Sequence, residues 1–170
     1  MASPVRDETS PYRNKYFMDK KGNSEMSTIL GKPFSLDWRG NPPHMLQPDI
    51  PVWYRFLEMY GSMFKNLWYD VLLGADHLTT DQEKDPMLIM KRSLMARRAD
   101  AIVELENEVW IIEVSDDPGL RAVGQIMSYL VLWSRDPVIL KPEQMILVCS
   151  TIEPNLLDAT TSYGIRVYII

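Results

Sequence analysis

Cysteine and histidine are scarce in this chain: Cys149 stands alone, and His44 and His77 are the only histidines. A single cysteine excludes an internal disulfide framework and fits a reducing compartment; within its apolar run it reads as a small buried hydrophobe. The histidines fall in polar loops with no cysteine or second histidine at ligand spacing, which argues against zinc. A run of about 18 apolar residues is also lacking, so no membrane-spanning helix is expected. The opening MASPVRDETSPYRNKYF has no apolar core of the kind a signal peptide needs. Nor is positive charge in excess. With 18 Lys and Arg against 23 Asp and Glu, the formal charge is −5, which excludes coating nucleic acid by bulk charge but leaves room for a local basic patch. These absences point to a cytoplasmic protein, not one secreted through a signal peptide.

What is present suffices for one domain with a real core, since 46% of the residues are hydrophobic. Residues 1–48 stand apart. They hold many of the prolines, including those of NPPHMLQP, and show no sustained helical or strand period. Their hydrophobes (Tyr12, Tyr16, Phe17, Ile29, Leu30, Phe34, Leu36, Trp38) come singly. Such a segment reads as an extended, proline-rich N-terminal arm that docks on its own domain or on a partner chain. Residues 49–170 read as the globular domain.

Within that domain Asp49, with Pro51 just inside, signals a helix start, and Val52, Phe56, Met59, Tyr60 and Phe64 recur at helical spacing. LWYDVLLG reads as a strand ended by Gly74, and ADHLTTDQEKDP as a polar loop. MLIMKRSLMARR suits either a short helix or a strand. Two strands flank a polar turn at Glu106 and Asn107, and the DDPG that follows is a turn and helix start. EQMILVCS is a buried strand, PNLLDATTSYG a short helix and IRVYII a last strand. This order describes an α/β sheet with helices on its faces. Met59, Met63 and Met127 sit on apolar helical faces and are expected in the core, whereas Trp38, Trp53 and Trp133 are candidates for contacts outside it.

The chemistry-bearing residues lie in RRADAIVELENEVWIIEVSDDPGLRAVGQIMSYL, residues 97–130. If Glu106 and Asn107 form a tight hairpin loop, Leu105 faces Glu108, and the same register sets Asp100 opposite Glu113. Cross-strand neighbours on one face have Cβ atoms about 5 Å apart. Two carboxylates that close repel, and a divalent cation between them removes the repulsion. The bland alternative is a pair of solvent-exposed strand-end acids. Ser115 is the next residue on Glu113's face, while Ala101, Val103, Trp110, Ile112 and Val114 share the other. Arg121, Gln125 and Tyr129 stand four apart on the following helix, as a polar stripe able to overhang the pair. Lys91, Arg92, Arg97 and Arg98 form a local positive cluster suited to phosphate contact, or else a solvated face.

The order of these residues resembles the PD-(D/E)xK, or restriction-endonuclease-like, nuclease superfamily, in particular the nuclease domains of mismatch endonucleases and other RecB-like nucleases. There an RxD strand precedes a strand ending ExK and a helix bearing Q-x-x-x-Y. The counterparts are Arg98 and Asp100, then Glu113-Val114-Ser115, then Gln125 and Tyr129, and the likeness extends over about residues 97–170. It implies a mixed central sheet flanked by helices, with Asp100 and Glu113 as ligands of Mg or Mn. Gln125 would belong to the catalytic group, and Glu58 would match the family's first-helix acid. Tyr129 would join Lys91, Arg92, Arg97 and Arg98 in contacting nucleic acid.

Ser115 occupies the position of the lysine that in this family orients water and stabilises developing charge. Arg121 is the only cation on the neighbouring helix, and a guanidinium, which stays protonated, is a poor base. The expectation is therefore a nuclease-fold protein with a degenerate active site, non-catalytic and without cofactor. It would serve as a structural or binding component of a larger assembly, such as a phage virion or its head-to-tail junction, reaching other protein chains through its arm, with DNA contact. The alternative is an active Mg- or Mn-dependent DNA nuclease in which Arg121 supplies the displaced charge.

Overall fold

Alternating apolar residues dominate the second half of the chain, and they form a sheet. The computed structural model describes residues 26–170; the aromatic residues Tyr12, Tyr16 and Phe17 of the expected arm lie outside the described residues. Six strands stand side by side in chain order: β1 (Met26–Ile29), β2 (Asn66–Asp76), β3 (Arg97–Glu104), β4 (Val109–Val114), β5 (Glu143–Cys149) and β6 (Arg166–Ile169). The first four are mutually antiparallel, while β4, β5 and β6 run parallel. The helices are α1 (Asp49–Tyr60), α2 (Pro86–Met95), α3 (Leu120–Trp133) and α4 (Pro154–Ser162). Helices α3 and α4 form the two crossovers that parallel pairing requires. The result is an α/β fold with a mixed sheet flanked by helices.

Two apolar clusters sandwich the sheet. One joins Ile102, Ile111 and Leu147 to Val123, Ile126 and Trp133 of α3 and to Leu156 of α4. The other joins Val103, Trp110, Ile112 and Val148 to Val52, Trp53 and Phe56 of α1. Strand β4 alternates between them, so all six of its residues are buried, as expected of a central strand covered on both faces.

The register of the β3–β4 hairpin is the one the polar turn requires. Ala101 pairs with Ile112, Val103 with Trp110 and Glu104 with Val109, and Leu105 N–H donates to Glu108 across the turn. Elsewhere several expectations give way. Strand β2 does not end at Gly74 but runs to Asp76. Gly74 has φ +65°, and a Cβ there would stand 2.7 Å from Leu132 of α3, so this glycine permits close helix–sheet approach inside a strand. MLIMKRSLM settles as helix, its start capped by the Asp85 side chain, which accepts from Met87 N–H.

The described part of the arm is built into the domain. Residues 26–29 supply strand β1, Phe34 N–H bonds to Leu67 O, and Met45 is buried in the cluster under α1. The methionine and tryptophan expectations are reversed. Met59, Met63 and Met127 are exposed, whereas Trp53 and Trp133 are fully buried and Trp38 packs on Phe34 and Tyr69. Trp53 tolerates burial because its Nε1–H donates to Tyr69 Oη at 2.7 Å. Cys149 is a buried thiol, as expected. Among the described residues no helix is long and apolar enough to cross a membrane.

Candidate functional site

The side chains of β2 and β3 lose their strict alternation at one point. Tyr69 and Ala101 pair and belong to the α1-side cluster; two residues along, Val71 and Ala99 pair and belong to the α3-side cluster. Regular pleating would keep residues two apart on one face. Between them stand Asp70, at φ +52°, and Asp100. The kink sets both carboxylates on the wall of one cavity of about 430 Å³.

Glu113, near the end of β4, lines the same cavity, as does Asp49, the first residue of α1. Four carboxylates, from α1, β2, β3 and β4, thus converge, and Asp117 of the turn after β4 joins the lining. The polar stripe of α3 lies over them: Arg121 and Gln125 are in the lining, and Gln125 Nε2 donates to Tyr129 Oη at 3.1 Å. Tyr129 in turn lies against Glu113, so Gln125, Tyr129 and Glu113 form one polar contact group over the pocket. Glu113 Oε2 is buried without a hydrogen-bond partner. Asp100 Oδ2 accepts the backbone N–H of Val114 at 2.8 Å, and Asp49 Oδ1 accepts that of Asp116 at 2.7 Å.

Burial dominates the electrostatics. Asp100 is pushed up to about 7, chiefly by desolvation and then by the charges of Asp49 and Asp70, against the lowering effect of the Val114 N–H. Glu113 is pushed up to about 8 by desolvation and by Asp100; Tyr129 and Arg121 oppose this. Asp49 is raised as well, by burial first. Near neutral pH the pocket therefore holds protons that ordinary carboxylates would have released. A divalent cation would replace those protons, and hard oxygen donors are the set that Mg or Mn prefers. Among the described residues no three His, Cys, Asp or Glu side chains stand ready in metal-ligand geometry.

Most of the expected site residues converge. Asp100, Glu113, Ser115, Arg121 and Gln125 all line the cavity. Three expectations need correction. Glu58 is exposed on α1 and lies outside the lining, and the first-helix acid present there is Asp49. Tyr129 is 2% exposed, so it supports Glu113 instead of meeting a nucleic acid. The basic cluster does not act as a unit. Arg98 is held by Asp70 Oδ2 at 2.5 Å and by Ser93 Oγ at 2.6 Å, and Arg92 by Glu83 at 3.3 Å, leaving Lys91 and Arg97 exposed.

Sequence reasoning missed Asp49, Asp70 and His44 as members of the site. The imidazole Nε2 of His44 stands 3.5 Å from Asp70 Oδ2, and His44 is itself at φ +61°. His44 and Asp70 are the positive-φ residues other than glycine among the described residues, and both line this cavity. Strained backbone of this kind clusters at functional sites. No lysine is among the lining residues; the charges opposing the acids are Arg98, Arg121 and, when protonated, His44.

The chain matches no family model, no curated protein and no solved structure. The likeness to the PD-(D/E)xK superfamily therefore rests on its motif residues in the sequence.

Proposed function

We propose that the chain is a restriction-endonuclease-like protein whose pocket takes up a divalent cation but lacks the ammonium needed for efficient phosphodiester hydrolysis, so that it binds without cutting. One observation carries this reading: Glu113 Oε2 is buried and unpartnered among neighbouring acids, while Ser115 occupies the lysine position in the same cavity. Desolvated, mutually repelling carboxylates are costly to keep unless something compensates them. A bound cation is the compensation that suits an all-oxygen donor set.

Glu113 and Asp100 would hold the ion, with Asp49 the next nearest acid. When bound, such an ion supplies Lewis acidity toward a phosphoryl oxygen and lowers the pKa of a water. Tyr129, held by Gln125, lies against Glu113. Arg121, exposed at the mouth, offers a guanidinium to a phosphate oxygen. Ser115 has no charge to stabilise an attacking or leaving oxygen. In this reading the protein is a binding component of a larger assembly; a place in a phage particle rests on analogy of architecture.

Arg121 also favours a second reading, an active nuclease that uses this guanidinium in place of the lysine. Linear, nicked and branched DNA incubated with the protein in Mg²⁺ or Mn²⁺ separates the two. The binding reading expects no cleavage by the wild type. Cleavage that vanishes in both Asp100→Ala and Glu113→Ala would establish the enzyme instead.

A further inference from the structure

Helix α2 buries none of its residues, so few apolar contacts hold it to the domain. Two of its polar ties are local: Asp85 caps its start by accepting from Met87 N–H at 2.8 Å, and Arg92 reaches Glu83 at 3.3 Å. A third crosses to the sheet. Arg98 of β3 donates through Nη2 to Ser93 Oγ at 2.6 Å and to Ser93 O at 3.2 Å, and through Nη1 to Asp70 Oδ2 at 2.5 Å. Ser93 O is one of the last-turn carbonyls of α2, which need a partner from outside the helix. One guanidinium thus joins a helix without a buried residue to the wall of the acidic cavity, which Arg98 and Asp70 line and Ser93 does not.

Asp70 is where this clamp can give. Its backbone stands at φ +52°, its Oδ2 serves Arg98 and, at 3.5 Å, His44, and its Oδ1 is buried without a hydrogen-bond partner. A divalent cation in the cavity would attract this carboxylate and repel the guanidinium it holds. Both effects are stronger at half-buried side chains than in open water. The fork that fastens α2 would then weaken, and a helix with few buried contacts opens at small free-energy cost. We propose that Asp70, Arg98 and Ser93 couple the cavity to α2: cation uptake loosens the clamp and releases the helix. Release of the helix in turn favours uptake, as linkage requires. This coupling rests on the reading that the pocket takes a divalent cation, and it names what that cation changes elsewhere in the fold.

Hydrogen–deuterium exchange of the full chain, read by mass spectrometry with and without saturating Mn²⁺, tests this, with uptake followed separately by electron paramagnetic resonance of the free ion. Peptides from α2 are expected to exchange about fivefold faster or more once the ion is bound, while those from β4 do not. Asp70→Asn removes the charge and keeps an acceptor, and asparagine tolerates the positive φ of this position, so circular dichroism should show the fold intact. In that variant α2 should exchange faster without the ion and lose its response to Mn²⁺, although uptake persists. Ser93→Ala, which alters the clamp outside the cavity, should speed α2 exchange without the ion and tighten Mn²⁺ uptake. Uptake by the wild type with α2 exchange unchanged or slowed would overturn the coupling and leave the cation reading standing. So would a full response in Asp70→Asn, or a Ser93→Ala variant indistinguishable from the wild type. No uptake by the wild type would overturn both.

Discussion

Asp100 Oδ2 accepts the backbone N–H of Val114, so a β3 side chain continues the β3–β4 ladder beyond its last backbone pair, Ala101 with Ile112. The same carboxyl group thus serves the fold and stands opposite Glu113. These two roles separate by substitution. Asp100→Ala leaves the Val114 N–H without its partner and should cost about 1–3 kcal/mol in chemical denaturation. Asp100→Asn keeps an acceptor oxygen while deleting the charge, and should be at least as stable as the wild type at alkaline pH.

The raised carboxyls give the stability a definite pH slope. Asp100 and Glu113, at about 7 and about 8 in the folded protein, hold protons there that the unfolded chain has already released. Their contribution to stability is thus fully present in acid and is lost as pH rises through those values. Thermal unfolding should show the melting temperature falling between pH 5 and pH 9, with a shallower fall in Glu113→Gln. Saturating Mn²⁺ should flatten the slope of the wild type, because an ion that binds only the folded state stabilises it by mass action.

Gly74 provides a test of the packing between β2 and α3. Alanine there meets both a left-handed φ and the Leu132 side chain, so Gly74→Ala should destabilise by about 1–3 kcal/mol. Trimming the neighbour in Leu132→Ala should relieve only the steric part. A double-mutant cycle measured by urea denaturation gives the two shares separately.

The buried indole provides another. Tyr69→Phe removes the acceptor for Trp53 Nε1–H, in a place where water does not reach Trp53. The expected cost is about 1–3 kcal/mol, seen as a lower denaturation midpoint with an unchanged slope.

How much of this was legible in the chain follows from the range of each signal. The hairpin register could be read because the polar pair Glu106 and Asn107 interrupts alternating apolar residues, and two residues fix a tight loop. The overhanging stripe of Arg121 and Gln125 followed from helical spacing alone. Asp49 and Asp70 were out of reach because they come to Asp100 through sheet order and the entry of α1, over separations no local pattern records. Asp70 did leave one trace, a lone acid inside LWYDVLLG, which a buried strand carries only for a reason. Glu58 satisfied helical position but fell on the outer face of α1. Gly74 looked like punctuation because its use, the approach of Leu132, is tertiary. The methionines misled for a related reason: helical spacing identifies an apolar face without saying whether anything covers it.

Ser115→Lys asks whether the pocket lacks only its cation. If the metal site is otherwise intact, this variant should gain Mg²⁺- or Mn²⁺-dependent cleavage of DNA over the wild type, measured on labelled linear and branched substrates. The gain should disappear when Glu113→Gln is added.

The central claim is that the pocket binds a divalent cation through Glu113 and Asp100. Titration of the protein with Mn²⁺, followed by electron paramagnetic resonance of the free ion, tests it most directly. The expected result is saturable uptake by the wild type that is lost in Glu113→Gln and in Asp100→Asn while both variants remain folded. Wild-type protein that takes up no Mn²⁺, or uptake unchanged in both variants, would contradict the account.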